Sequence, residues 1–360
     1  MQRAIYSRRV RGKQGYILVA TALSIPFLLG VSGLSIDIGR MYITKSEVQA
    51  FADSAALAAA RELDGTTAGI ARATSAAANN SEKWLFDTQP FNNVSTTFST
   101  SPTGTFTAAP PNPPTGYGFA RVVATVDLPM YLIRALTGPT SQIRAGATAG
   151  GLAMTSTNGG EFPFSPYTRK GYVGAVPDDA TDPFGYLVGN QYTLRWGSPG
   201  DRTDCGTDDN VPSLAQNGSI RGYCCVSNSA SQIRQAIVSL GTDPVTIGNN
   251  VPMDNGAKNT EMTAIADRVL LDTDLTSTTY SAYRTSRTGN GTRVVFVVVN
   301  GGPPNYTALG YAGFFLRTPG YYSGLNGNDS ACAEYIGAYT AGIPFPAPGS
   351  SGAYKLRLFR

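Results

Sequence analysis

The sequence predicts an α+β protein. A long N-terminal helix crosses a membrane and then lies on a small antiparallel sheet, and a β-rich domain with two short helices follows, a sandwich being one arrangement open to its strands. Three observations lead there. Gln14 to Ile36 is a run of 23 residues without a charge, and beyond Asp37 the helical pattern continues with no proline before Pro90. Between Phe91 and Gly150, β-branched and alternating segments flank a Pro/Gly/Thr loop. Beyond residue 170, strand-like runs separated by turn residues are interrupted by two helical ones.

The elements follow in chain order. Residues 1–13 carry Arg3, Arg8, Arg9, Arg11 and Lys13 and form a basic segment. Residues 14–36 are long enough, at 1.5 Å per residue, to cross a hydrocarbon core of about 30 Å. Asp37, Arg40, Lys45 and Glu47 after the run cancel one another, so the positive-inside rule puts the N-terminus in the cytoplasm and the rest outside. A cleaved signal peptide is the alternative, since Val31-Ser32-Gly33 offers small residues. Its apolar region would ordinarily be about 7–15 residues, shorter than this one. The twin arginines Arg8 and Arg9 are followed by Arg11 and Gly12, where an export motif of that kind has an apolar pair. A retained anchor is the reading adopted.

Ala52, Ala56 and Ala60 recur every four residues, and small residues at this spacing let another helix approach closely. Packing on the chain's own sheet and contact with a second molecule both satisfy that pattern. Pro26, Gly30, Gly33 and Asp37 join these alanines as the candidate membrane and helix-packing residues. Residues 65–82 read as a second helix, "FNNVSTTFST", "GFARVVATVDL" and "SQIRAGATAG" as strands, and 101–116 as a loop. Residues 151–169 read as a linker. Then come "YLVGNQYTLRW", "TRVVFVVV", "ALGYAGFFL" and "AYKLRLFR" as strands, with "SASQIRQAIVSL" and "NTEMTAIADRVLLD" as helices. "RVVFVVV" lacks alternation and is expected to be buried on both faces.

Composition narrows the function. Charged residues are 14%, well under the roughly 25% of ordinary soluble domains, while Gly (41) and Pro (23) are plentiful, which fits a neutral, loop-rich exported surface. The net charge of +4 is concentrated before the apolar run, so nucleic-acid binding has no electrostatic footprint. Histidine is absent, which removes the commonest general base and metal ligand. No GxSxG, GxxxxGK[ST] or GxGxxG motif occurs, so no enzyme and no cofactor is expected. Asp201, Asp204, Asp208 and Asp209 lack the spacing of a calcium loop and read as a solvated acidic loop. Cys205, Cys224, Cys225 and Cys332 read as two disulfides of an oxidising compartment. A bond between neighbours meets the geometric limits of a disulfide poorly, so one of Cys224 and Cys225 is expected to pair with Cys205 and the other with Cys332.

Residues 11–65, "RGKQGYILVATALSIPFLLGVSGLSIDIGRMYITKSEVQAFADSAALAAARELDG", resemble the N-terminal segment of TadE/TadG-like proteins of the tight-adherence (Flp) pilus-assembly system. The features that match are Gly12 and Gly15 before the span, Pro26 within it, Gly33, Asp37, Gly39 and Arg40 at its end, then Tyr42, Gln49, Asp53 and the alanines 55–60. The similarity continues more loosely to about Gly150, which implies a pilin-like α+β domain over 37–150; beyond it "EFPFSPY", "YTLRWG", "GYCCV" and "CAEYIGAY" are similar to the C-terminal regions attached to some TadG-like anchors, which supports the architecture of a β-rich extracytoplasmic domain over 170–360 and no activity. It implies a single-pass protein of the bacterial inner membrane whose partners are the lipid bilayer and other pilin-like subunits or assembly proteins. It also marks Gly15 and Tyr16 as a processing point. Type IV-like prepilins carry a glutamate five residues after the cleaved glycine, and here that place is Ala20. The resemblance therefore implies a non-enzymatic, minor pilin-like accessory subunit rather than the polymerising pilin. A binding module or adhesin that uses the helix only as an anchor is the alternative.

Overall fold

The computed structural model describes residues 14–132, 134, 138–170, 177–197, 205, 220–226, 229–255, 261–326, 329–341 and 352–359. The basic segment 1–13 and the four aspartates of the acidic loop lie outside them. The chain divides into two compact units, 1–55 with 77–96 and 122–147, and 56–76 with 97–121 and 148–360. Mixed helix and strand confirms the α+β class.

In the first unit the leading element is α1 (Gln14–Arg61), a single 48-residue helix with Pro26 inside it. Proline is tolerated there as it is in spanning helices, where neighbouring groups take up the freed carbonyl. Ser24 and Ser35 return their hydroxyls to the carbonyls of Ala20 and Val31, at 2.7 and 2.9 Å, so the apolar half carries few unsatisfied polar groups. From Tyr16 to Ser32 the helix is exposed nearly all round. Beyond that a stripe turns inward: Gly33, Asp37, Thr44, Val48 and Phe51 are buried, at the spacing of one helix face.

What receives this stripe is a sheet in the order β3 (Asn93–Ser99), β4 (Phe119–Pro129), β5 (Thr140–Ala153). Val122, Ala124, Val126 and Leu128 of β4 and Ile143, Ala145 and Ala147 of β5 alternate into the interior, which is the period-two pattern of strands with one buried face. Lys45 donates to the carbonyl of Arg144, and Phe51 stacks on Phe91 with ring centroids 4.0 Å apart. A hairpin of β1 (Lys83–Trp84) and β2 (Gln89–Pro90) closes over the helix, and its turn residues Leu85, Phe86 and Asp87 all have left-handed backbone, φ 57°, 55° and 62°.

The second unit is built on strands in the order β5, β12 (Gly352–Phe359), β11 (Ala331–Ala341), β10 (Ala308–Leu316), β9 (Val294–Asn300), with β6 (Gln191–Arg195) pairing β11. All of these pairs are antiparallel except β11 with β12, which is parallel. Every residue of β9 is buried, as its unbroken apolar run predicts. Val295, Val297 and Val299 face a core formed with α3 (Ala230–Ser239) and α4 (Glu261–Val269), while Phe296 and Val298 face Val245, Val251, Tyr311 and the adjacent cysteines. Among the described residues helices cover the first face, and a ribbon of β7 (Ile220–Cys224) and β8 (Met253–Asn255) gives Tyr223 to that core and Cys224 to the other. Two short helices, α5 (Tyr280–Ser286) and α6 (Pro319–Ser323), complete the unit, along with α2 (Thr67–Ala78), which begins in it.

Two expectations are corrected. The stretch expected to be a linker is core structure: Phe162 and Phe164 are fully buried, and the backbone N–H of Phe162 donates to the carbonyl of Phe296. Its aromatic residues have apolar surface to lose, and β9 has backbone carbonyls to satisfy. The disulfides are Cys205–Cys332, with Cα atoms 5.4 Å apart, and Cys224–Cys225. Once the fold brings Cys332 of β11 against Cys205, the neighbours are left with each other. Cys225 takes the left-handed conformation, φ 66°.

Candidate membrane-anchoring site

The site is α1 itself, together with the side chains that tie it to the folded body. Its apolar half passes without a break into the half that packs, so one helix presents hydrocarbon to its surroundings at one end and to a core at the other. Exposed Tyr16, Ile17, Leu18, Leu23, Phe27, Leu28, Leu29 and Val31 form a surface that water does not tolerate at this extent, since soluble monomers rarely leave more than a few hundred Å² of contiguous apolar surface. The helix has a mean hydropathy of 2.1 over its best window and meets the length and composition of a membrane span.

Asp37 marks the change from one half to the other. Its carboxylate is fully buried and accepts from two backbone N–H groups, of Tyr131 at 3.2 Å and Leu132 at 2.9 Å. Arg40, one turn on, donates to the carbonyl of Pro129 at 2.7 Å and lies over the Tyr131 ring at 3.9 Å. Gly33, one turn back, is where the same connection comes closest: a Cβ there would stand 2.6 Å from Cβ of Leu132, so only glycine permits the approach. Ten residues on from Asp37, Glu47 repeats the device and accepts from the N–H groups of Leu85 and Phe86, both at 2.9 Å. Two carboxylates of one helix thus each hold an exposed turn by its backbone donors, a charge-assisted bond stronger than a neutral one.

The remaining predicted residues divide. Pro26 and Gly30 are exposed, and space around Gly30 is open. Gly15 and Tyr16 lie in the first turns of α1, with Tyr16 exposed. Ala52, Ala56 and Ala60 are buried within the chain itself, at 3% exposure or less, so the small-residue stripe is internal packing.

At the end of α1 the second unit holds a charge network that sequence reasoning missed. Glu62 and Asp64 meet Arg72 of α2 and Arg284 and Arg287 of the α5 region. Arg287 reaches Glu62 at 2.8 Å, and Arg284 reaches the backbone carbonyl of Asp64 at 2.8 Å. Burial pushes the Asp64 carboxyl up, yet the Thr66 hydroxyl and the Arg72 and Arg284 guanidiniums outweigh it and hold the group below its ordinary 3.8. The i, i+3 spacing of Arg284 and Arg287 places them together, but nothing in the sequence announces carboxylates more than 200 positions away as their partners. Beside this network lies a cleft of about 610 Å³ lined by Asp64, Tyr117, Phe119, Arg284 and Tyr354 among others.

These features define a class: an α+β protein led by one exposed apolar helix whose second half is built into its own fold. Residues 15–62 match a family model described as "Putative Flp pilus-assembly TadE/G-like". The chain therefore carries a TadE/G-like segment, and this segment is α1 almost end to end. No curated protein and no solved structure matches the chain.

Proposed function

We propose that this chain is a non-enzymatic accessory subunit of a tight-adherence pilus-assembly system, minor pilin-like in kind and held in the inner membrane by α1. The N-terminus faces the cytoplasm and the folded body lies on the outer side. The observation that carries the reading is the contrast along α1 within the TadE/G-like segment, exposed and apolar from Tyr16 to Ser32, then buried along one face. A cleaved export signal has no need to be continuous with a core helix. Pro26 and Gly30 are where a neighbouring pilin-like helix would approach, because a glycine lowers the helix surface and both positions face outward. Ala20, at the place of the prepilin glutamate, favours an accessory role.

The test is a photo-crosslinking residue at Leu28 in full-length protein, in cells with and without the pilus-assembly machinery, with the mature N-terminus sequenced from isolated membranes. Discrete crosslinks to pilin-like subunits from an uncut protein, or from one beginning at Tyr16, support the subunit reading. Crosslinks to lipid alone, unchanged when the machinery is absent, would favour the simple anchored binding module. A mature start near Leu34 would remove the anchor altogether.

A further inference from the structure

Beside the apolar half of α1 stands a second patch that neither the family match nor the anchor reading accounts for. The connection from β4 to β5 leaves the sheet at Pro129, buries Met130, and then turns Tyr131 and Leu132 outward, 60% and 57% exposed. Two adjacent large apolar side chains beside the exposed face of α1 extend one contiguous apolar patch, and a buried aspartate, a glycine and an arginine hold these two where they are.

Their position is set by α1. Leu132 touches the helix at Gly33, inside the uncharged run, while the backbone of the same turn is fixed at Asp37, the first charge after it. Four residues of helix separate those levels by about 6 Å. A span that ends near Ile36 therefore puts Leu132 at the depth of the upper acyl chains and Tyr131 near the headgroups. That is the order of an aromatic belt, with the ring at the interface and the aliphatic side chain below it. Arg40, one turn beyond Asp37, stacks on Tyr131, which sets its guanidinium at the level where lipid phosphates would be, and Arg134, two residues beyond Leu132, is exposed as well.

We propose that Tyr131 and Leu132, just beyond β4, are a second membrane-contact element, a short finger that enters the interface of the leaflet next to the folded body. The occupant is lipid: the patch is continuous with the apolar surface of α1, lies at the depth where that surface ends, and is bordered by arginines. The consequence is mechanical. One helix alone is free to tilt and slide in a bilayer, whereas a helix with a second contact docked on it at Gly33 and Asp37 has a defined depth. The inference rests on α1 spanning the membrane, and its test separates the two.

Full-length protein would be placed in phosphatidylcholine–phosphatidylglycerol vesicles with one added cysteine bearing an environment-sensitive dye, the native cysteines being paired. The positions are Leu132→Cys, with Tyr131→Cys in case the leucine is needed for docking, Leu28→Cys on the helix, and Thr88→Cys in the exposed β1–β2 turn. Lipids with a nitroxide near the headgroup or deep in the acyl chain serve as quenchers. The expected result is blue-shifted emission at Leu132 or Tyr131, quenched most by the shallow nitroxide, with Leu28 quenched most by the deep one and Thr88 by neither. Quenching at Leu28 with water-like emission at both finger positions would overturn the finger and leave the anchor standing. Water-like emission at Leu28 as well would overturn the anchor and the finger with it.

Discussion

Asp37→Ala removes the two bonds that hold the β4–β5 connection on α1. A hydrogen bond to a charged acceptor contributes about 1.5–3 kcal/mol net, and the 3.2 Å bond to Tyr131 belongs at the low end of that range. The Arg40–Asp37 contact at 3.9 Å, with Arg40 partly exposed, adds only a few tenths. While docked, the freed N–H groups would face the buried space that the carboxylate filled, so any penalty for an unsatisfied donor adds to this loss. The sum is about 4 kcal/mol against docking, and at 1.4 kcal/mol per decade the open connection gains roughly 700-fold. Amide exchange on the full-length protein in detergent reads this directly. The Tyr131 and Leu132 amides should exchange about 100-fold faster or more in Asp37→Ala and by less in Asp37→Asn, which keeps one acceptor oxygen. The Leu85 and Phe86 amides, held by Glu47, serve as the internal reference and should not change. Unchanged exchange at Tyr131 and Leu132, or equal acceleration at both turns, would refute the argument that Asp37 acts locally as the clamp.

Four further outcomes are expected. Because the Asp64 carboxyl is held below 3.8 in the folded chain, its contribution is present above the unfolded pKa of about 3.9 and is lost as pH falls through the depressed value. Asp64→Asn should therefore lower the urea midpoint at pH 7 and flatten its decline below about pH 4, and a variant that keeps the parent's acid slope would count against the network. Cys332→Ser opens a bridge with a sequence separation of 127, worth about 5 kcal/mol on the loop-entropy estimate, so denaturant unfolding should shift strongly. Mass mapping without reduction should join the Cys205 and Cys332 peptides and find Cys224 and Cys225 bonded within one; a Cys205–Cys224 link would overturn the pairing. Leu28→Arg places a charge mid-span at a cost of about 2.5–3.5 kcal/mol on the insertion scale and should move protein from the membrane fraction, whereas wild-type partition would argue against a span.

The amino-acid sequence by itself determined the helix and most of the strands, because those are local properties. An uncharged run of 23 residues can only be satisfied in an apolar medium as a helix, and a β-branched run such as Val294 to Val299 resists other conformations. It also showed the family resemblance, which is carried by consecutive residues of one helix. β11 escaped notice because "ACAEYIGAYTA" is rich in small residues and is an interior strand only through pairing on both sides, with β10 on one and with β6 and β12 on the other. The cysteine pairing, the burial of the stretch expected to be a linker, and the partners of Asp37, Glu47, Asp64, Arg284 and Arg287 were decided only by tertiary structure. Each joins residues far apart in sequence, and a carboxylate carries no local mark of which distant amides or guanidiniums the fold will bring to it.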